Sequence, residues 1–362
     1  MSYNRRLEMR DRDGAVRSFR LYGPVSFAQG FDPLKPRVIF LLCILFVSLL
    51  EFRALDLIGG RNLPAEVEAT AGLMAGHPYW KAYQNRLLGP AVVVGVGRLT
   101  GLPLAAVYQG FCFAMLCAAN ALAGSLFRRT PGSAWGYVAA YAGLFVAWQD
   151  PEWSYLWDYV DLVTLLLFAW AVVMGGWNGW QFAGVFAVEL ANRESAQFIA
   201  LWLVLDALLP APGRWVDASR LTLGVGLGVF GTWWTHWVRN ALCLGETGVV
   251  PRAEITEFAD GQFFMGRVTW DLLRDPWPLP ALTLAVGLGA LGFLLWRAWG
   301  ALGRRAWKVA ALLAVMLVAN LLLSFIYELR VWQAFLPFAV CLAYRWQTDP
   351  AKNASAGAGQ PL

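Results

Sequence analysis

Asn192-Arg193-Glu194, with Glu189 just ahead, interrupts a mostly apolar run between residues 180 and 209. A charge at bilayer depth costs about 2.5 to 3.5 kcal/mol even on forgiving insertion scales, so acid and base there face protein or a water-filled cavity. Two roles follow from these residue types. Arg and Glu can lock helices together as an internal ion pair. Alternatively, the guanidinium can hold a polar or anionic substrate through its rigid fork of donors. Glu66 and Glu68 follow the first apolar run, where a carboxylate can act as a base or simply be solvated. Arg86 opens the next apolar piece and suits an anion contact, or it belongs to an ordinary solvated loop. Asp158 and Asp161 are three apart, so on a helix they share one face and could bind a cation or a sugar hydroxyl; Asp158 could equally be an N-cap. Glu328 and Arg330 lie in a short turn between two apolar runs. That turn holds the guanidinium near the bilayer surface, where a lipid phosphate would lie, or it is only a loop.

The elements that must position these residues are helices in a membrane. With 58% hydrophobic residues and 15% charged, the 362-residue chain is too apolar for a soluble two-domain protein. The fold class expected is all-α: a polytopic helical membrane protein with about eight to ten transmembrane or re-entrant helices. Apolar stretches mark spans at 38–57, 104–126, 134–149, 159–176, 220–238, 278–296, 309–326 and 331–346, with shorter pieces at 87–97 and within 180–209. Several fall below the roughly 20 residues needed to cross, and short broken helices at that depth need protein or a cavity over their backbone. The glycines of Gly224-x-Gly226-x-Gly228 and Gly287-x-Gly289 read as close helix packing. Twenty tryptophans suit interfacial belts. Five cysteines without metal-ligand spacing imply no disulfide framework, and two histidines argue against a histidine-rich metal centre.

Residues 1–37 form a basic segment, with eight Lys or Arg against four acids and no apolar core before Val38. It reads as a cytoplasmic leader rather than a cleavable signal peptide, able to rest on anionic lipid, with no call for nucleic acid. Its Arg/Asp alternation over residues 5–20 suits a solvated, short helical or hairpin segment. The membrane domain then covers 38–346, and the small, polar 347–362 forms a disordered cytoplasmic tail. Arg128 and Arg129, Arg214 and Arg220, Arg304, Arg305 and Lys308, and Arg345 with Lys352 can all share the cytoplasmic face with the N-terminus. This requires that 87–97 does not cross fully and that 180–209 forms a hairpin tipped by Asn192-Arg193-Glu194. In the competing topology 87–97 crosses and 180–209 is one broken span.

Together, the acid-bearing first external loop, Arg86-x-Leu88-x-Pro90, the aromatic-Asp segment at 157–161, Asn192-Arg193-Glu194-Ser195 and Glu328-x-Arg330 ahead of Leu336-Pro337 resemble bacterial GT-C superfamily glycosyltransferases. The similarity is nearest to small members tied to cell-surface glycopolymers and spans roughly residues 38–340. It implies a GT-C-like fold, a polyprenyl-phosphate-linked sugar donor, and a glycan, lipid or protein acceptor; the basic leader, with no organellar targeting segment, suits the bacterial inner membrane. The family's loop acid is usually Asp, whereas this chain offers Glu66 and Glu68, with Asp56 nearer the helix end.

The mechanism expected from these parts is sugar transfer outside the cytoplasm. Glu66 or Glu68 takes the acceptor proton while Arg193, Arg330 or Arg86 holds the donor phosphate, with Asp158, Asp161, Asn192, Glu194 and Glu328 lining the substrate site. Should a divalent ion assist, carboxylates without histidine favour Mg or Mn over Zn. The alternatives are a transporter or flippase of a lipid-linked sugar and a non-catalytic membrane scaffold.

Overall fold

The computed structural model describes residues 6–10, 16–20, 34–75, 86–127, 134–149, 155–210, 215–242, 278–323 and 329–349. The chain divides into two units, Met1–Cys43 and Ile44–Leu362. In the first, strands β1 (Arg6–Arg10) and β2 (Val16–Arg20) pair antiparallel with Arg6 opposite Arg20 and Glu8 opposite Ser18. Of the two forms suited to the Arg/Asp alternation, the chain adopts the hairpin.

Every other described element is helical. In chain order they are α1 (Leu34–Gly59), α2 (Leu63–Met74), α3 (Leu88–Thr100), α4 (Leu104–Leu126), α5 (Ala134–Ala147) and α6 (Leu156–Met174). There follow α7 (Gly179–Asn192), α8 (Ala196–Leu208), α9 (Ala218–Leu242), α10 (Pro278–Leu302), α11 (Arg305–Leu323) and α12 (Leu336–Gln347). Among the described residues five helices are long and apolar enough to cross a membrane: those within α1, α4, α6, α10 and α11. The outward faces of α1 and α11 are apolar, as lipid requires: Leu45, Phe46, Leu49 and Leu50 on α1 and Val315 and Val318 on α11 are all exposed.

Local chemistry sets the boundaries. Pro64 and Pro337 open α2 and α12, where a missing N–H costs nothing. Asn178 and Gln181 form a reciprocal capping box at the start of α7. Gly175, at φ 80°, ends α6 in a conformation that side chains rarely adopt.

The most buried helix, α6, packs against α4, α7 and α12 and orients the bundle. Tyr159 near its start lies 5.7 Å from Phe145 near the end of α5, while Trp170 near its end lies 5.6 Å from Phe127 at the end of α4. Phe127 also packs at 5.0 Å, tilted, against Tyr137 near the start of α5. Thus α4 and α6 run parallel, and α5, packed on α4, runs back antiparallel to both. One end of the bundle holds the first turns of α4 and α6, and we call it the acid end; the other is the basic end. α7 rises to the acid end, where Asn192 Nδ2 donates to the Trp157 carbonyl (3.1 Å), and α8 returns to the basic end, where Asp206 meets Arg220 and Lys308. Both ends of α3 lie at the acid end. Its entry bonds to α7 through Leu87 N to Ala191 O (3.0 Å), and its exit leads directly into the first turn of α4.

The segment 87–97 therefore does not cross the bundle, and 180–209 is two short helices broken at Arg193–Ser195. At 14 and 13 residues, α7 and α8 are each about 20 Å long, well short of a ~30 Å hydrocarbon core. Arg220, Arg305, Lys308 and Arg345 lie at the basic end, as does the end of α4 that leads to Arg128.

Glycine works as close packing at Gly224. There a Cβ would stand 2.9 Å from Leu203 Cβ and Val204 Cγ2 and 3.0 Å from the Ala200 carbonyl, which lets α9 lie against α8. Gly226, one step round the helix, has open space around it.

Candidate functional site

The break between α7 and α8 is built around one arginine. Arg193 is extended (φ −162°, ψ 158°), which turns the chain and sends its side chain into the bundle. Nη1 bonds Asp161 Oδ2 at 2.7 Å and Asp158 Oδ1 at 3.2 Å. Those carboxylates share one face of the first two turns of α6, as their spacing predicts, and they are 4% and 0% exposed. Asn192 Nδ2 donates to Asp161 Oδ1 at 2.5 Å. Glu189, fully buried one turn back on α7, accepts from the hydroxyls of Thr164 and Ser195. Glu194 is a half-buried turn residue whose carbonyl accepts from Gln197 N at 3.0 Å.

Asp158 is therefore not an N-cap. Tyr155 occupies that position without a side-chain hydrogen bond, while Asp158 points inward to the guanidinium. Nor do the two aspartates fit a divalent ion, because Arg193 occupies the face that a cation would use. Among the described residues no three His, Cys, Asp or Glu side chains converge to hold a metal.

A second group lies at the same end, around α2. Glu66 and Glu68, expected in a loop, are on this helix, where Pro64 starts a regular turn. Helical geometry separates their fates: Glu66 is buried at 4% exposure, and Glu68 faces outward. Tyr108 from α4 donates its hydroxyl to Glu66 Oε2 at 3.1 Å. Glu66 and Tyr108 line a small, open cleft with Asp56, Gln109 and Tyr159. Tyr159 directly follows Asp158, so the cleft and the arginine cluster share one turn of α6. Leu73, at the far end of α2, packs with Tyr155 and Trp157, and Arg86 lies 4.8 Å over the Trp157 ring.

The structure thus brings together Asp158, Asp161, Asn192 and Arg193, and places Glu66 in the cleft with Tyr159 and Arg86 over Trp157, both near the start of α6. Glu68 stands apart. Glu328 lies outside the described residues. Arg330 falls in the 3-10 helix Leu329–Phe335, which bonds to the acid end through Gln333 Nε2 to Trp148 O (3.4 Å); its side chain also lies outside them. Sequence reasoning missed a third polar group. Asn120 of α4 donates to Glu51 Oε2 (2.8 Å) and Ser48 Oγ (3.0 Å) of α1. An acid and an amide, each inside an otherwise apolar run, were the available signal.

No family, curated protein or solved structure matches this chain.

Proposed function

We propose that this chain is a polytopic membrane glycosyltransferase of GT-C-like architecture. It transfers a sugar from a polyprenyl-phosphate donor to an acceptor hydroxyl on the extracytoplasmic side of the bacterial inner membrane. The observation that supports this reading most is Glu66, a buried carboxylate facing a cleft just beyond the first span and oriented by the Tyr108 hydroxyl. A carboxylate so placed can take a proton from a bound hydroxyl.

In the transfer, the acceptor O–H proton passes to Glu66 and the acceptor oxygen bonds to the sugar's anomeric carbon. The bond from that carbon to the phosphate oxygen breaks, and polyprenyl phosphate leaves with the electron pair. Arg86 is the cation best placed for the phosphate. Seven residues of α2, about 10 Å at helical rise, separate Glu66 from Leu73, which packs against the Trp157 that Arg86 covers. Arg193, already shared by two carboxylates, is a positioning residue. The gathering of Arg220, Arg305, Lys308 and Arg345 at the opposite end supports a cytoplasmic basic end and N-terminus and an external acid end.

The test is transfer from a panel of polyprenyl-phosphate sugars to added acceptors in lipid nanodiscs. Wild type consumes donor, Glu66→Gln folds but does not, and Glu68→Gln behaves as wild type. Failure of the wild type to consume any donor would remove this reading. One observation favours a transporter instead: the broken α7–α8 hairpin with charges inside the bundle. Movement of intact lipid-linked sugar across a proteoliposome membrane, without bond cleavage, would establish it.

A further inference from the structure

At the basic end the side chains Arg220, Arg304, Arg305, Lys308 and Arg345 outnumber the acids Asp206, Asp217 and Asp349. Most of these cations already have partners. Arg220 and Lys308 both bond Asp206, Arg220 Nη2 also donates to the Trp177 carbonyl (3.1 Å), and Arg345 Nη2 donates to the Ala301 carbonyl (2.6 Å). Arg305 differs: among the described residues it donates no hydrogen bond and forms no ion pair. It is nonetheless held in place. Its Cζ lies 2.6 Å from where a Cβ on Gly175 would stand, so the guanidinium occupies a hollow that only glycine leaves open, at a residue whose φ of 80° already favours glycine.

A half-buried guanidinium with unused donors, surrounded by further positive charge, suits an oxyanion. The aromatic setting indicates where that anion comes from. Trp180 in the first turn of α7, Trp215 just before α9 and Trp307 in the first turn of α11 are 77%, 94% and 70% exposed at this same end. Exposed tryptophans of this kind sit at headgroup level. We infer that the basic end binds the phosphate of an anionic phospholipid, with Arg305 in the hollow over Gly175 as its central contact and Arg220 and Lys308 beside it. This site is at the opposite end from the proposed transfer chemistry and does not depend on it.

Full-length protein in detergent is titrated with phosphatidylglycerol, phosphatidylcholine or inorganic phosphate, and bound lipid is counted by native mass spectrometry. Phosphatidylglycerol is expected to bind preferentially, and Arg305→Ala to weaken it about fivefold, the effect of one cation near an anionic surface. Arg304→Ala removes the same charge from the exposed neighbouring position and should change affinity much less. Equal losses in the two variants would mean diffuse surface charge and overturn the site. Equal binding of phosphatidylcholine would overturn the anionic preference, and inorganic phosphate competing at equal concentration would overturn the lipid source. Should Arg305→Ala fail to fold, Arg305→Gln keeps the packing over Gly175, removes the charge and reads the same loss.

Discussion

Replacing Arg193 with methionine should destabilise the fold rather than merely impair a reaction. The guanidinium bonds both Asp158 and Asp161, whose side chains are 0% and 5% exposed, its one charge offsetting one of their two, and is itself only 17% exposed. Solvent screening is therefore slight. Removing one partner of a buried ion pair typically costs about 3–5 kcal/mol, because the remaining charge is left without compensation. Here two carboxylates lose their partner at once, so the upper half of that range is expected. That is a large part of the ~5–15 kcal/mol that holds a typical fold together. The triple variant Arg193→Met, Asp158→Asn, Asp161→Asn leaves no buried charge among these three positions and should recover most of the loss. Both variants are compared with wild type by reversible denaturant unfolding in mixed micelles. The reasoning is refuted if Arg193→Met unfolds at the wild-type midpoint, or if the triple variant is no more stable than the single one. Either result would mean that the guanidinium is not the lock of the α7–α8 break and is free for substrate.

Two further substitutions test packing and the interior amide. Gly224→Ala places a methyl 2.9 Å from Leu203 and Val204 side-chain atoms and should cost about 1–3 kcal/mol, whereas Gly226→Ala, in open space, should be near neutral; paired thermal melts decide. Asn120→Ala removes the donor that Glu51 and Ser48 share inside the bundle and should cost about 1–3 kcal/mol, while Asn120→Gln should recover part of this if the longer amide still reaches; unfolding free energies measure both.

Much of the helical layout can be read from the chain because lipid enforces it. An apolar run such as 104–126 can only be a helix in a membrane, and α4 occupies that span. The α7–α8 break was legible for the same reason, since charges within an apolar run mark where the chain must face protein. What sequence could not reveal was which carboxylates face which cation. Asp158 and Asp161 suit a cation, a sugar hydroxyl or a cap equally well until α7 and α6 are placed side by side. Glu66 and Glu68 look equivalent two residues apart, yet a helix turns about 200° between them, so one is buried and the other solvated. That distinction required knowing that Pro64 begins a helix rather than a loop.

The arginine cluster also explains how two half-length helices persist inside the bundle. Ending α7 at Asn192 leaves its last carbonyls without helical partners, and such groups are expensive away from water. The structure supplies one such partner from outside the helix. Leu87 N–H from the entry of α3 takes the Ala191 carbonyl, while the Arg193 N–H continues the helical pattern to Glu189 at 2.5 Å. The side chains of Asn192 and Arg193 then fasten the turn to the first turns of α6. Arg86 is thereby fixed as well, because it immediately precedes Leu87. The same hydrogen bond that closes α7 holds the chain where the Arg86 guanidinium lies over Trp157, two residues before the Tyr159 that lines the Glu66 cleft. Loosening the Arg193 lock should therefore shift Arg86 before it disturbs Glu66, so under the proposed sugar transfer a mild variant such as Arg193→Lys should weaken donor affinity more than it changes the dependence of the rate on acceptor. The reverse pattern in steady-state kinetics, acceptor KM rising with donor KM unchanged, would break the proposed link between the lock and the phosphate contact.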